Sequence, residues 1–200
     1  GALKSPEGVA ALLPRFTYYT DPSITDAEEK DKAFRWIVEA GEAAIAPIVT
    51  FMEKAESLSW SLKALDRVTS QERVVEELIR LLGRMDTEYQ RDPQRKLQVL
   101  QSLEERKDPR IVGAVSRFLG DVNETVRFHV VLAAFAQADP EPAKLDLQAA
   151  LAREESVRVR TQILEAFAQR RWEIGPAKEQ VGKALPPGFT LDAAGVPTKK

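Results

Sequence analysis

Residues 124–137 read ETVRFHVVLAAFAQ, and residues 157–169 read VRVRTQILEAFAQ. Laid over one another, Val131-Leu132-x-x-Phe135 falls on Ile163-Leu164-x-x-Phe167, 32 positions later, and Val99-Leu100-x-x-Leu103 lies 32 positions earlier. Ala134-Phe135-Ala136-Gln137 returns as Ala166-Phe167-Ala168-Gln169, and Val126-Arg127 returns as Val157-Arg158, one residue out of step. Asp108-Pro109 and Asp139-Pro140 mark the same turn one period apart. The apolar spacing inside each copy is that of an amphipathic helix, and the fixed offset between copies is the signature of a repeat.

The same helical rhythm extends outward in both directions, and alternating strand patterns are nearly absent. Ser5-Pro6 pairs a capping hydroxyl with a first-turn proline and predicts a short helix ending before Pro14. Residues 16–24, aromatic and turn-rich, predict an extended connection. Thr25 and Glu28 have capping-box spacing and open a helix that stops at Gly41, with Ala33, Phe34, Ile37 and Val38 inward. Further helices are predicted at 42–55 (Ile45, Ile48, Val49, Met52 inward), 58–68 (Leu58, Leu62, Leu65 inward) and 71–85 (Val74, Val75, Leu78, Ile79, Leu82 inward). The remainder are predicted at 93–106, 109–119, 124–138, 141–153, 156–171 and 178–185. Such short connections make successive helices antiparallel neighbours.

Gly41-Glu42-Ala43-Ala44-Ile45-Ala46-Pro47-Ile48-Val49 has the glycine, small residue, aliphatic, proline, aliphatic order of a HEAT second helix. Asp121-Val122-Asn123-Glu124-Thr125-Val126-Arg127 and Glu154-Glu155-Ser156-Val157-Arg158 are similar to the Asp-x-x-x-Val-Arg opening of first helices. On these residues the chain resembles the HEAT-repeat family, in the variety named after phycobilisome lyases. The resemblance implies an all-α fold, a right-handed α-α superhelix or solenoid of antiparallel helix pairs. Residues 25–172 would be the repeats and residues 1–24 an N-terminal capping helix with its connection. Residues 173–200 would be a C-terminal capping helix and a tail folded into a small hairpin around residues 192–195. Phe189, Leu191 and Val196 would seal the last repeat. Each pair needs its neighbours to bury an apolar stripe.

Composition narrows the function. Twenty-nine Lys and Arg against 31 Asp and Glu leave a net charge of −2, not the basic excess that coating nucleic-acid phosphates or an anionic membrane requires. With no cysteine and a single histidine, His129, thiolate chemistry and His-rich zinc sites are excluded. No apolar run approaches a membrane span, and the expectation is a cytoplasmic protein without membrane insertion. His129 reads as an imidazole hydrogen-bonded between helices, and the carboxylate clusters read as helix-end and polar-face residues. No phosphate loop, nucleophile elbow or calcium loop is present, so neither a catalytic set nor a cofactor is expected.

Family resemblance places the concave face on the second helices. Their outward residues include Arg73, Glu77, Arg80, Arg84, Arg110, Arg117 and Lys144. Arginines on successive helices would form a ridge for carboxylates or phosphates of a partner protein, or a solvated face of i,i+4 pairs. Trp60 lies off its helix's apolar stripe and joins them as a contact residue, unless packing absorbs it. The expected function is a non-catalytic protein-protein interaction module or scaffold. The alternative is an enzyme on the same scaffold, similar to bilin lyases or to HEAT-like DNA glycosylases.

Overall fold

Among the residues described by the computed structural model, 4–199, regular structure consists of eleven α-helices and one two-stranded hairpin. The helices are α1 (Pro6–Leu12), α2 (Ser23–Glu39), α3 (Ile45–Met52), α4 (Ser59–Val68), α5 (Gln71–Gly83) and α6 (Gln94–Glu104). They continue with α7 (Arg110–Val115), α8 (Glu124–Phe135), α9 (Lys144–Arg153), α10 (Val157–Arg170) and α11 (Lys178–Gly182), and the hairpin is β1 (Phe189–Leu191) with β2 (Pro197–Lys199). Short 3-10 turns extend α1 and α7 and introduce α3, α9 and α11. The all-α class with a small C-terminal hairpin is therefore what the chain adopts. Among the described residues no helix is long and apolar enough to cross a membrane.

The chain divides into two compact units. The first runs to Met85 and adds Gln94–Val99; the second comprises Asp86–Pro93 and everything from Leu100 onward. In the first unit α1 packs on α3 and α2, α2 on α4, and α4 on α3 and α5. Ile37, Ile48, Met52, Leu58, Leu65, Leu78 and Leu82 are withdrawn from solvent there. The expected inward sets shift in places: Leu81 is buried while Leu62 and Ile79 are half-buried, because each helix presents a stripe between two neighbours rather than one edge.

The start of α2 departs from the capping-box reading. The helix begins at Ser23 behind Pro22, without a side-chain cap, and Thr25 is an exposed residue of its first turn. Asp26 is drawn away into an ion-pair cluster. Its Oδ1 meets Arg15 Nη2 at 2.7 Å and accepts from the Thr20 amide at 2.9 Å, while its Oδ2 meets Lys30 Nζ at 2.8 Å. Lys30 and Arg15, in that order, hold the Asp26 carboxyl far below the usual carboxylate range. This cluster fastens the turn Leu13–Thr17 and the following connection onto α2. Nearby, Trp60 stacks flat on Phe16, with ring centroids 5.2 Å apart, and meets the edge of Phe34.

In the second unit α8 lies between α7 and α10, with β2 against α10. Asn123 and Ser156 cap α8 and α10, accepting from the amides of Val126 and Val159, each cap contributing about 1 kcal/mol. The interval from Asn123 to Ser156 is one position longer than the period read from the sequence, and the whole helix follows its cap. The buried set of α8 is Val126, Val130, Val131, Ala133 and Ala134; that of α10 is Val159, Ile163, Leu164, Ala166 and Phe167. Backward from α8 the interval is one position shorter, since Val99, Leu100 and Leu103 match Val130, Val131 and Ala134.

The doubled, even register read from the sequence thus places the middle helix one residue out. Val157 is exposed where Val126 is buried, and Gln169 is exposed where Gln137 is buried. The counterpart of Arg127 is Arg160: Arg127 donates to the Asp121 carbonyl and Arg160 to the Glu154 carbonyl, each six residues back. Arg158 instead lies over the Phe128 ring, 3.8 Å from its centroid. The turns before α7 and α9 do repeat as read, with Asp108 accepting from the Arg110 amide and Asp139 from the Glu141 amide.

A bidentate pair ties α8 to the turn before α10, Arg127 Nε and Nη2 meeting the Glu154 carboxylate at 2.7 and 2.8 Å. At the C-terminal end Trp172 packs against Phe135 and Phe167, both at 5.4 Å between centroids. The expected hairpin forms around Asp192 and Gly195, where Gly195 takes φ 89° and its carbonyl accepts from the Ile174 amide. Phe189 is buried beneath it, and Leu191 and Val196 are half-buried.

Candidate functional site

In the first unit α3 and α5 both border α4, and the ion pairs of Glu53, just past the end of α3, with Arg80 and Arg84 bring their C-terminal ends together. Glu42, Ile45, Ala46, Val49, Thr50 and Glu53 form one continuous row at helical spacing; Thr69, Arg73, Glu76, Glu77 and Arg80 form another. Together they line an open groove of about 860 Å³. Ile45 and Val49 are half-buried and belong to this groove, a correction to their assignment as core. Only Ile48 and Met52 of that helix face fully inward.

The groove walls are charged on both sides. Arg73 meets Glu76 at 3.1 Å and Glu77 at 2.6 Å; Arg80 meets Glu77 at 2.8 Å and Glu53 at 3.0 Å; Arg84 also pairs with Glu53. Glu77 can be 6% exposed on a charged helix face because two guanidiniums take its oxygens. The Arg80 hydrogen bond, followed by the fields of Arg84 and Arg80, holds the Glu53 carboxyl below its ordinary range despite some burial. Glu42, at the other end, has no ion-pair partner among the described residues. Chemically this is a polar channel with an aliphatic floor, able to exchange its internal ion pairs for those of a bound chain.

Of the residues singled out from sequence, Arg73, Glu77, Arg80 and Arg84 are brought together here. Trp60 is not: it does not line the groove and is held by Phe16 and Phe34. Arg110, Arg117 and Lys144 belong to the second unit, and each is engaged locally. Arg110 forks onto Asp108 at 2.9 and 2.7 Å, Arg117 lies over Phe118, and Lys144 pairs with Glu141 and lies 5.6 Å from the Trp172 ring. Sequence reasoning missed Glu42, Glu53 and the Ile45–Val49 floor. The signal was the six-membered row on α3, which continues past the apolar stripe into two carboxylates.

His129 lies between α6 and α8, its Nδ1 2.5 Å from Glu104 Oε1 and its Nε2 3.3 Å from Gln101 Nε2. Burial pushes the Glu104 carboxyl up, against the pull of His129. Among the described residues no group of three or more His, Asp and Glu side chains could hold a metal ion. Comparison of the chain with protein-family models, with curated proteins and with solved structures finds no match.

Proposed function

We propose that the chain is a non-catalytic binding module of the HEAT-like solenoid kind, holding an extended segment of a partner protein along its second helices. The observation that carries this reading is the α3–α5 groove: aliphatic at the floor, charged at both walls and open along its length. Its volume lies within the ~300–1,000 Å³ that small binding clefts span, and its open, elongated lining suits a chain segment better than a compact ligand. The repeated cap-and-arginine geometry of α8 and α10 supports the repeat reading, because only equivalent units would place the cap bond and the arginine bond at one common offset.

The test is site-directed photocrosslinking in the native cell. A photoreactive residue replaces Thr50, in the groove, or Arg35, exposed on α2. The expected result is a discrete adduct from position 50 alone, lost when Val49→Trp fills the floor. The same adducts from both positions, or adducts that survive Val49→Trp, would overturn the reading.

A further inference from the structure

The groove is electrically polarised along its axis. At the end where α3 begins, Glu42 has no cation of its own among the described residues, while Arg73, in the first turn of α5, is taken by Glu76 and Glu77. At the end where both helices finish the cations gather: Arg80, which also meets Glu77, and Arg84 share Glu53, whose charge also acts on Arg95 in the first turn of α6. Arg95 has a buried Nε with no hydrogen-bond partner, so part of its donor capacity is unspent. Glu53 and a Glu77 that Arg73 also shares cannot saturate these guanidiniums, each of which carries five donors. Glu42 is likewise an unspent acceptor at the opposite end.

Eleven residue steps of 3-10 turn and α-helix lead from Glu42 to Glu53, an axial distance of about 17 Å. An extended chain covers that distance in about five residues. Between the two ends the floor is Ile45, Ala46 and Val49, which suits small or aliphatic side chains.

We infer that the α3–α5 groove selects a dipolar peptide segment, with an acidic side chain seated at Arg80 and Arg84 and a basic one at Glu42, about five residues apart. This deepens the binding-module reading and rests on it: it names the chemistry of the segment that the same groove would hold. A segment with two acids or two bases at those positions would meet one repulsive end, and the charge pattern therefore acts against wrong partners as well as for the right one.

The experiment is selection of short random peptides displayed on phage against the full chain, with Val49→Trp as the filled-groove control. The expected outcome is groove-dependent enrichment of sequences pairing one acidic and one basic residue about four to six positions apart. Synthetic versions with both charges alike should bind about tenfold more weakly. Arg84→Glu should shift the selected pairs toward two basic residues, and Glu42→Lys toward two acidic ones. Both positions are exposed, and circular dichroism confirms that each variant is folded. Groove-dependent peptides without opposite charges at that spacing would overturn this inference while leaving the module reading in place. Enrichment that ignores Val49→Trp, or none at all, would overturn both.

Discussion

Glu154 and Glu53 are both gripped by arginine, yet the two sites behave as different materials. The Glu154 side chain is 3% exposed and takes a two-pronged bond from Arg127, whose remaining nitrogen is spent on the carbonyls of Asp121 and Val122. The Glu53 side chain is 29% exposed and shares its charge among arginines that reach across open space. In the first case the pair replaces water; in the second it competes with water. A buried pair cannot be opened without stranding a charge, whereas an open one can trade partners at small cost. Burial, not residue type, separates a structural arginine from one available for recognition.

The sharpest way to break this contrast is Arg127→Met. It should destabilise the chain by about 3–5 kcal/mol, because Glu154 is left charged and unpaired in a dry place. Chemical denaturation checks the size, and hydrogen exchange should place the loss in α8 and α10. The further change Glu154→Leu should recover about half of that loss, since the stranded charge disappears with it. If Arg127→Met costs no more than a surface substitution, the buried pair is not structural.

Acid offers a second handle. Burial pushes the Glu154 carboxyl up, but the Arg127 hydrogen bonds and the Ser156 amide more than reverse it, so in the folded chain it lies below its ordinary value. A depressed folded value contributes stability that is present above the unfolded carboxylate value, about 4.3, and is lost as pH falls through the folded one. The difference in melting temperature between the native chain and Arg127→Met should therefore shrink between pH 7 and pH 3. A gap that stays constant over that range would remove Glu154 as its source.

Smaller effects come from the caps and from the groove. Asn123→Ala or Ser156→Ala should each cost about 1 kcal/mol in denaturant titrations. Arg84→Ala, at a 55%-exposed side chain, should cost less than about 1 kcal/mol and leave the melting curve nearly unchanged. A larger loss there would show that the open network is part of the scaffold and not free to exchange.

Much of the architecture could be read before the helices were seen. Apolar spacing placed all the major helices, and the Asp108 and Asp139 turns were recognisable because an aspartate before proline reports a local event. The register failed where two solutions differed by one residue. Val157-Arg158 and Val159-Arg160 stand side by side, and only the cap on Ser156 and the exposure of Val157 choose between them. The start of α2 failed for a related reason: Asp26 is positioned by Arg15, on the far side of the aromatic connection, which local spacing cannot report. In the groove the arginines of α5 were visible as an outward row. Their carboxylate partner Glu53 was not, because it follows α3, with the whole of α4 between it and Arg80 in the chain. The Glu104–His129 contact was hidden in the same way, its two ends lying on either side of α7 in the chain.

The unequal intervals between α6, α8 and α10, one shorter and one longer than the apparent period, show where this chain can change length. One residue added inside α8 would rotate everything after it by about 100° and turn Val130 and Val131 out of the core. The same residue added in a turn leaves each helix facing as before. What the fold conserves is therefore orientation, not count. The helices act as rotors that tolerate no slippage, and the turns are the clutches between them, where insertions and deletions pass without disturbing the faces they connect.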